Sequence, residues 1–248
     1  MIAAVGVVVP ACDEEDRIVA CLGSVRQALA RLPQRTATAV TVVLDRCTDS
    51  TPERVASATA DWPEADAVLA QDFLARSETT VPGAGADVGA LRALGLDLTL
   101  ARLASHPADR TWLLSTDADT TVPPDWVSAH LRLAATGAHG VAGVADLDDG
   151  SHLPAKVLER YGALVTDGVH GPRHEHVYGA NLGFRADAYL AVGGFPLEGP
   201  GEDHGLWWRL AEAGYRLEHP STLWVRTSAR VRGRADGGLA DLLRSLHL

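Results

Sequence analysis

The sequence predicts an open α/β fold, with a mostly parallel sheet and helices on both faces. Short apolar, valine-rich runs alternate with longer stretches of helical period, as in α/β proteins. Polar residues follow several of these runs, where the strands of such a sheet would end. The chain has 248 residues, of which 46% are hydrophobic, enough for the core of one large domain.

The first elements are a strand, a helix and a second strand. The run "AAVGVVV" (3–9) is typical of a buried parallel strand. Apolar residues then recur at helical spacing, and an acidic cluster precedes them at the expected helix start. They are Ile18, Leu22, Val25, Leu29 and Leu32. The run "ATAVTVVLD" (37–45) predicts the second strand.

The next unit predicts a helix, a strand, a helix and a fourth strand. Ser50 or Thr51 is expected to cap the first of these helices, with Pro52 at a first helical position. A weaker strand is expected at 66–70, a helix at 87–104 and a strand at 111–116.

The second half of the chain predicts elements that extend the same sheet. A helix is expected from Pro123 or Pro124, and a strand at 137–147. A helix at 154–165, a helix in "DHGLWWRLAEAG", one or two strands in "YRLEHPSTLWVRTSARVRGR" and a terminal helix in "GLADLLRSL" follow. We expect the two halves to share one continuous sheet.

Composition excludes several classes of protein. The formal net charge of -10 argues against a nucleic-acid binder, which needs a basic surface to neutralise phosphates. Three cysteines without metal-ligand spacing indicate a reducing, cytoplasmic setting. The apolar N-terminal stretch is better explained as a core strand than as a signal peptide. No apolar run reaches about 18 residues, so no membrane span is expected; peripheral membrane association stays open.

The stretch "LLSTDADTTVPPDW" (113–126) carries an acidic pair at the end of a predicted strand. Residues two apart in an extended segment point to the same side, so Asp117 and Asp119 could face one ligand. Carboxylates suit hard cations such as Mg²⁺ or Mn²⁺. Alternatively, Asp119 caps the following helix and Asp117 satisfies a turn. Pro10, Asp45 and Asp117 all fall at strand ends, and we expect them to converge on one crevice.

Six ordered segments together resemble the inverting glycosyltransferases of family 2, whose single-domain α/β architecture is called GT-A. The segments are "VVVPACDEEDRIVACLGSV", "VVLDRCTDST", "DVGALRALGLD", "STDADTTVPPDW", "GANLGFRADAYLAVGGF" and "GPGEDHGLWWRL". The resemblance runs from residue 5 to about residue 235. Asp13 and Asp87 stand where that family usually has Asn, which puts base and ribose contacts in question.

The resemblance implies an enzyme that moves a sugar from a nucleotide diphosphate sugar, UDP-linked by default, to an acceptor hydroxyl of unknown identity. It implies one GT-A domain of two abutting halves, a donor half at 1–120 and an acceptor and base half at 121–248. The implied metal is Mn²⁺ or Mg²⁺, held by Asp117 and Asp119. The implied nucleotide-sugar contacts are Pro10, Cys12, Asp13, Glu14, Asp45, Arg92, Asp117, Ala118 and Asp119.

Several of these assignments have structural alternatives. Asp45 could cap the turn before Thr51 rather than bind uracil. Asp13 and Glu14 could favour a helix N-terminus instead of a ligand. Arg92 could approach the diphosphate or solvate a helix face.

The loop Gly199-Pro200-Gly201 leads into Glu202 and Asp203, which the resemblance implies as catalytic, with Asp203 as the general base. A helix cap is the alternative for Asp203. On the acceptor side we name four candidates, namely His176, Asn181, Trp207 and Arg234. A satisfied local hydrogen bond also explains the histidine, and of Trp207 and Trp208 at least one is expected in the core. Arg230, Arg232 and Arg234 form a basic strip that closes over a diphosphate or balances the acidic body.

Other function classes stay open. A retaining GT-A enzyme shares much of this architecture, and a non-catalytic sugar-nucleotide-binding module would share the fold. "LLSTDADTTV" also resembles the motif of haloacid-dehalogenase-like phosphatases. That motif normally lies on the first strand, and Lys156, the sole lysine, is the only candidate for the lysine of that family.

Overall fold

The computed structural model describes residues 1–74, 87–148, 150–233 and 238–247. Its strands are β1 (Ala4–Ala11), β2 (Ala37–Leu44), β3 (Ala65–Leu69), β4 (Thr111–Ser115), β5 (Gly140–Ala142), β6 (Val144–Leu147), β7 (Val169–His170), β8 (Arg173–His174), β9 (Leu182–Arg185), β10 (Leu217–Glu218) and β11 (Trp224–Thr227). Its helices are α1 (Ile18–Leu29), α2 (Thr51–Thr59), α3 (Ala70–Leu74), α4 (Val88–Arg102), α5 (Trp126–Ala135), α6 (Ala155–Asp167), α7 (Ala186–Ala191), α8 (Glu202–Glu212) and α9 (Leu239–Ser245).

The main sheet of the described residues has seven strands in the order β10-β5-β9-β4-β1-β2-β3. β1 pairs in parallel with both β2 and β4, and β2 with β3. β9 alone runs antiparallel, between β4 and β5. The start of β9 therefore lies at the same edge as the carboxyl ends of β1, β2 and β4. Strands from both ends of the chain enter this sheet, as the sequence predicts.

Helices cover both faces because successive residues of β1 point to opposite sides. Val7 and Val9 pack in the core cluster that contains residues of α1 and α5. Val8 packs in a second cluster that contains residues of α4, α7 and α8. The predicted α/β layering, with an open and mostly parallel sheet, is confirmed.

Two local predictions differ from the structure. The strand expected at 137–147 is split at Gly143 into β5, in the main sheet, and β6, which pairs with β11 in a separate two-stranded sheet. A Cβ at residue 143 would lie 2.1 Å from Nδ2 of Asn181. The chain therefore leaves the main sheet at a residue where only glycine leaves room for the Asn181 side chain.

The second difference is the cap of α2. Ser50 occupies the N-cap position, as predicted, but its side chain makes no capping hydrogen bond; the Asp49 carboxylate instead accepts the N–H of Thr51 at 2.9 Å. The Thr51 hydroxyl instead accepts the N–H of Glu14 at 2.7 Å, which ties the loop after β1 to the start of α2.

Within the described part of the chain, no helix combines the length and apolar character that a membrane crossing requires.

Candidate active site

Polar side chains from both halves meet at the edge of the sheet where β1, β2 and β4 end. Asp13 and Glu14 follow β1, and Asp45 follows β2. Asp117 and Asp119 follow β4, as the convergence of strand ends predicts. The turn at 179–181, just before β9, and the first turn of α8 lie at the same edge of the sheet, where Asp203 bonds to Gly179 and Glu202 pairs with Arg92.

The loops after β1 and β2 are bonded to each other. Asp13 has a left-handed backbone (φ 51°), a region that Asp tolerates better than most residues. Its carboxylate accepts the N–H groups of Thr48 at 2.6 Å and Asp49 at 3.3 Å. Asp13 thus shapes the loop beside Asp45, whose buried carboxylate contacts Arg46 at 3.2 Å.

Pro10 and Cys12 lie at the tip of β1. Pro10 is buried within the strand, and Cys12 is half-buried just beyond it. Burial, with the neighbouring charge of Asp13, raises the pKa of the Cys12 thiol to about 11. The thiol is therefore protonated at neutral pH and is not a nucleophile.

The acidic pair occupies two different environments. The Asp117 side chain is 35% exposed, whereas Ala118 and Asp119 are buried. Asp119 accepts the Thr227 hydroxyl at 3.3 Å and pairs with Arg230 at 3.1 Å. α5 begins only at residue 126, after Asp125, so Asp119 does not cap it. Burial raises the pKa of Asp119; Arg230 opposes this rise and the charge of Asp117 adds to it.

The residues present fit a divalent cation that phosphate oxygens also bind. The thiol of buried Cys21 donates to the Asp117 carbonyl at 3.3 Å and so fixes the backbone between the two carboxylates. No cluster of three or more His, Cys, Asp or Glu side chains within the described ranges could hold a metal by itself. Mg²⁺ and Mn²⁺ commonly take one or two carboxylates and complete their shells with water and phosphate. This donor set matches Asp117 and Asp119.

Arg92 is buried between the acidic pair and α8. Its Nη2 lies 2.6 Å from Asp117 Oδ1 and its Nε lies 3.2 Å from Glu202 Oε1. Its Nη1 donates to the Ser115 hydroxyl at 2.5 Å. The Arg92 side chain is only 4% exposed, so Arg92 does not solvate a helix face, and its guanidinium nitrogens are bonded to protein groups. It joins the proposed metal ligand to the proposed base loop.

The two acids at the start of α8 also differ. Gly201, with φ 81°, precedes the helix in the left-handed conformation that glycine readily adopts. Glu202 is buried on Arg92; burial raises the pKa of Glu202, and Arg92 opposes the rise. Asp203 is half-buried, and its Oδ2 accepts the N–H of Gly179 at 2.9 Å. Asp203 is thus the more accessible of the two carboxylates.

The residues named for the acceptor side are mostly committed to the interior. Asn181 is fully buried; its Oδ1 accepts from Trp126 and its Nδ2 donates to two carbonyl groups. Trp207 is buried and donates to His219 at 3.0 Å, while its neighbour Trp208 is 61% exposed. As the sequence suggests, one tryptophan of the pair is in the core.

His176 and Arg234 complete the acceptor set. His176 is half-buried, stacked with His174 and Tyr178, and its Nε2 lies 2.9 Å from the Val165 carbonyl oxygen. A satisfied local hydrogen bond therefore explains its position. Arg234 lies outside the described residues.

Sequence reasoning missed the residues that support the acidic pair. Ser115 holds Arg92, Thr227 holds Asp119, and Cys21 holds the Asp117 backbone. Arg230 reaches both Glu14 and Asp119. These partners are separated along the chain by up to 216 residues, so local sequence patterns do not reveal them. The basic strip near residue 230 was the only sequence signal for any of these contacts.

The sheet order, with helices on both faces and carboxylates gathered at one edge, matches the GT-A fold. Solved structures share it. Mannosyltransferase PcManGT from Pyrobaculum calidifontis, in complex with GDP-Man and Mn²⁺, matches with a TM-score of 0.61 and 22% identity over 92% of this chain. TarS 1–349 from S. aureus, in complex with UDP-GlcNAc, matches with a TM-score of 0.58 and 15% identity over 94% of this chain.

Glucosyl-3-phosphoglycerate synthase from Mycobacterium tuberculosis, in complex with phosphoglyceric acid, matches with a TM-score of 0.54 and 18% identity over 99% of this chain. The chain spans 58% of the mannosyltransferase, 60% of TarS 1–349 and 77% of the synthase. At these identities the likeness shows a common fold. No protein-family model and no curated protein sequence matches the chain.

Proposed function

We propose that this protein is a cation-dependent glycosyltransferase that uses a nucleotide diphosphate sugar. One observation carries the proposal: Arg92 joins Asp117, of the acidic pair after β4, to Glu202 at the start of α8, at one edge of a GT-A fold. The donors in the complexes of the mannosyltransferase and TarS support a nucleotide-sugar ligand as the class.

On the donor side, the loops after β1 and β2 form the nucleotide pocket in this proposal. Buried Asp45 accepts a hydrogen bond from the base, and the 13–14 segment borders the ribose. Asp117 and Asp119 hold Mn²⁺ or Mg²⁺. When bound, the cation offsets the charge that develops on the diphosphate leaving group. Arg92 keeps Asp117 oriented for this role.

On the acceptor side, Asp203 is the proposed general base. It takes the proton of the acceptor hydroxyl as that oxygen bonds to C1 and the bond from C1 to the diphosphate breaks. Attack from the face opposite the leaving group inverts the anomeric centre. The Gly179 N–H orients one oxygen of Asp203. The donor half (1–120) places the electrophile, and the acceptor half (121–248) places the nucleophile.

Two other reactions can be compared with the proposed one. A retaining reaction uses the same fold, and the configuration of the product distinguishes it. In the phosphatase alternative, the acidic motif normally lies on the first strand and a downstream lysine is usual. Here the motif follows β4, the only lysine is exposed on α6, and the fold is GT-A.

The test is calorimetry of UDP- and GDP-sugars with and without Mn²⁺, followed by NMR of any product. Wild type is expected to bind either UDP-sugars or GDP-sugars, and to bind them only when Mn²⁺ is present. Asp119→Asn is expected to lose at least tenfold in Mn²⁺-dependent affinity, about 1.4 kcal/mol. The matched variant Asp203→Asn is expected to keep donor affinity and lose transfer. Equal donor affinity of wild type and Asp119→Asn would remove the metal assignment, and full turnover by Asp203→Asn would remove the base assignment.

A further inference from the structure

One arginine occupies the space between two buried carboxylates of the donor site. Arg230 Nη1 donates to Glu14 Oε1, and its Nη2 lies 3.1 Å from Asp119 Oδ2. Glu14 follows β1 and Asp119 follows β4, so the guanidinium spans two strand tips. Glu14 is 6% exposed and Asp119 9% exposed, and the arginine side chain itself is 28% exposed.

Burial explains why this cation is needed. Two carboxylates largely removed from water are costly unless a positive charge neutralises them. Arg230 supplies that charge, because its guanidinium contacts both carboxylates. In this structure the guanidinium therefore stabilises the negative site as a bound cation would.

Arg230 pairs with the same carboxylate that is proposed to bind the divalent ion. The Asp119 carboxylate already accepts from Thr227 on Oδ1 and from Arg230 on Oδ2. An ion bound directly to Asp119 shares this carboxylate with the guanidinium, and two positive charges at contact distance repel each other. Occupancy by one cation thus opposes occupancy by the other.

We propose that Arg230 is an internal competitor of the divalent cation, holding Asp119 until the cation takes its place. The inference rests on the proposed function for the identity of the cation site. The proposal also gives the Arg230 side chain a second position. Once released from Asp119, the guanidinium stays bonded to Glu14. Linkage between two binding events is reciprocal. Metal binding therefore weakens the contact of Arg230 with Asp119 by the same factor by which Arg230 weakens metal binding.

The experiment measures Mn²⁺ binding to the full chain without nucleotide, by the loss of the free Mn²⁺ signal in electron paramagnetic resonance. Arg230→Met is expected to bind Mn²⁺ about tenfold more tightly than wild type, since the competitor is gone. Arg232→Met is the matched control, because it removes one positive charge from an exposed position two residues away. Its affinity is expected to stay within about twofold of wild type.

Two further substitutions, Asp119→Asn and Arg230→Lys, make the test decisive. Asp119→Asn in the wild-type and Arg230→Met backgrounds is expected to remove the tight site in both. Arg230→Lys serves if Arg230→Met does not fold, because a lysine point charge lacks the fork that spans both carboxylates. Its affinity for Mn²⁺ is expected to rise by about threefold.

Each outcome separates the two claims. If Mn²⁺ binding depends on Asp119 but is no tighter in Arg230→Met, or in Arg230→Lys, than in wild type, the competition is wrong. The proposed metal-dependent function then still stands. An equal gain in Arg232→Met overturns it too, because the effect is then general electrostatics. If Asp119→Asn leaves the Mn²⁺ affinity unchanged, both the competition and the metal assignment are wrong.

Discussion

Arg92 shows how a single side chain can fix two functional acids. It is the common partner of Asp117, half-exposed at the strand end, and of Glu202, buried at the start of α8. An ion pair of this kind contributes little net stability compared with apolar residues, but leaving one partner alone is costly. The energetic role of Arg92 is therefore to prevent the burial of an uncompensated carboxylate.

Replacement of Arg92 by Met is expected to lower the free energy of unfolding by about 3–5 kcal/mol, because Glu202 then keeps a buried charge without its cation. Urea denaturation measures the change. The double variant Arg92→Met/Glu202→Gln is expected to regain part of the loss, since the buried group no longer carries a charge. A loss below about 1 kcal/mol in Arg92→Met would show that water reaches Glu202 and that the pair is not truly buried.

At the scale of elements, α4 connects the sheet to the base loop through three positions spaced three residues apart. Gly95 packs on the sheet, where a Cβ would lie 2.3 Å from Val8 Cγ2 and 2.8 Å from Val43 Cγ2. Arg92 reaches the acidic pair. Gly89 lies against the loop before α8, where a Cβ would lie 2.1 Å from the Pro196 carbonyl oxygen. The helix thus sets the distance between the donor strands and the base.

Gly95→Ala is expected to destabilise the protein by about 1–2 kcal/mol, because overpacking against two β-branched side chains outweighs the better helix propensity of alanine. The matched control is Gly23→Ala in α1, an exposed position where a Cβ meets no atom of the described residues within 4 Å. That variant is expected to stabilise by up to about 1 kcal/mol. Thermal and urea unfolding of both variants test the comparison; a stabilised Gly95→Ala would mean that α4 can move away from the sheet.

The same helix marks the limit of prediction from sequence. Apolar period places α4 and its neighbours correctly, because periodicity is a local property. Convergence of the strand ends also follows from parallel topology alone. The burial of Arg92 depends on partners 25 and 110 residues away, and that of Arg230 on one 216 residues away. The antiparallel insertion of β9 and the split at Gly143 depend equally on distant chain segments.

At the scale of the whole molecule, stability should depend on pH through histidines buried in the neutral form. His130 on α5 is fully buried, packing edge-on against Trp126 and near Trp112. Burial lowers the pKa of His130 from 6.5 to about 3, with a small opposing effect from the neighbouring Asn181 side chain. His174 behaves similarly, because burial lowers its pKa to about 4.

The sign of the pH effect follows from which state binds the proton. Between pH 6.5 and about 3, the unfolded chain protonates residue 130 and the folded protein does not, so acid favours unfolding. From pH 7 to pH 5 this group is expected to remove about 2 kcal/mol from the free energy of unfolding. His130→Phe keeps an aromatic ring between the tryptophans but cannot titrate. Whatever its absolute stability, its urea-derived free energy is expected to fall by about 2 kcal/mol less than that of wild type over this range. Parallel pH profiles for the two proteins would mean that His130 is accessible to protons in the folded state, which its complete burial between α5 and the sheet opposes.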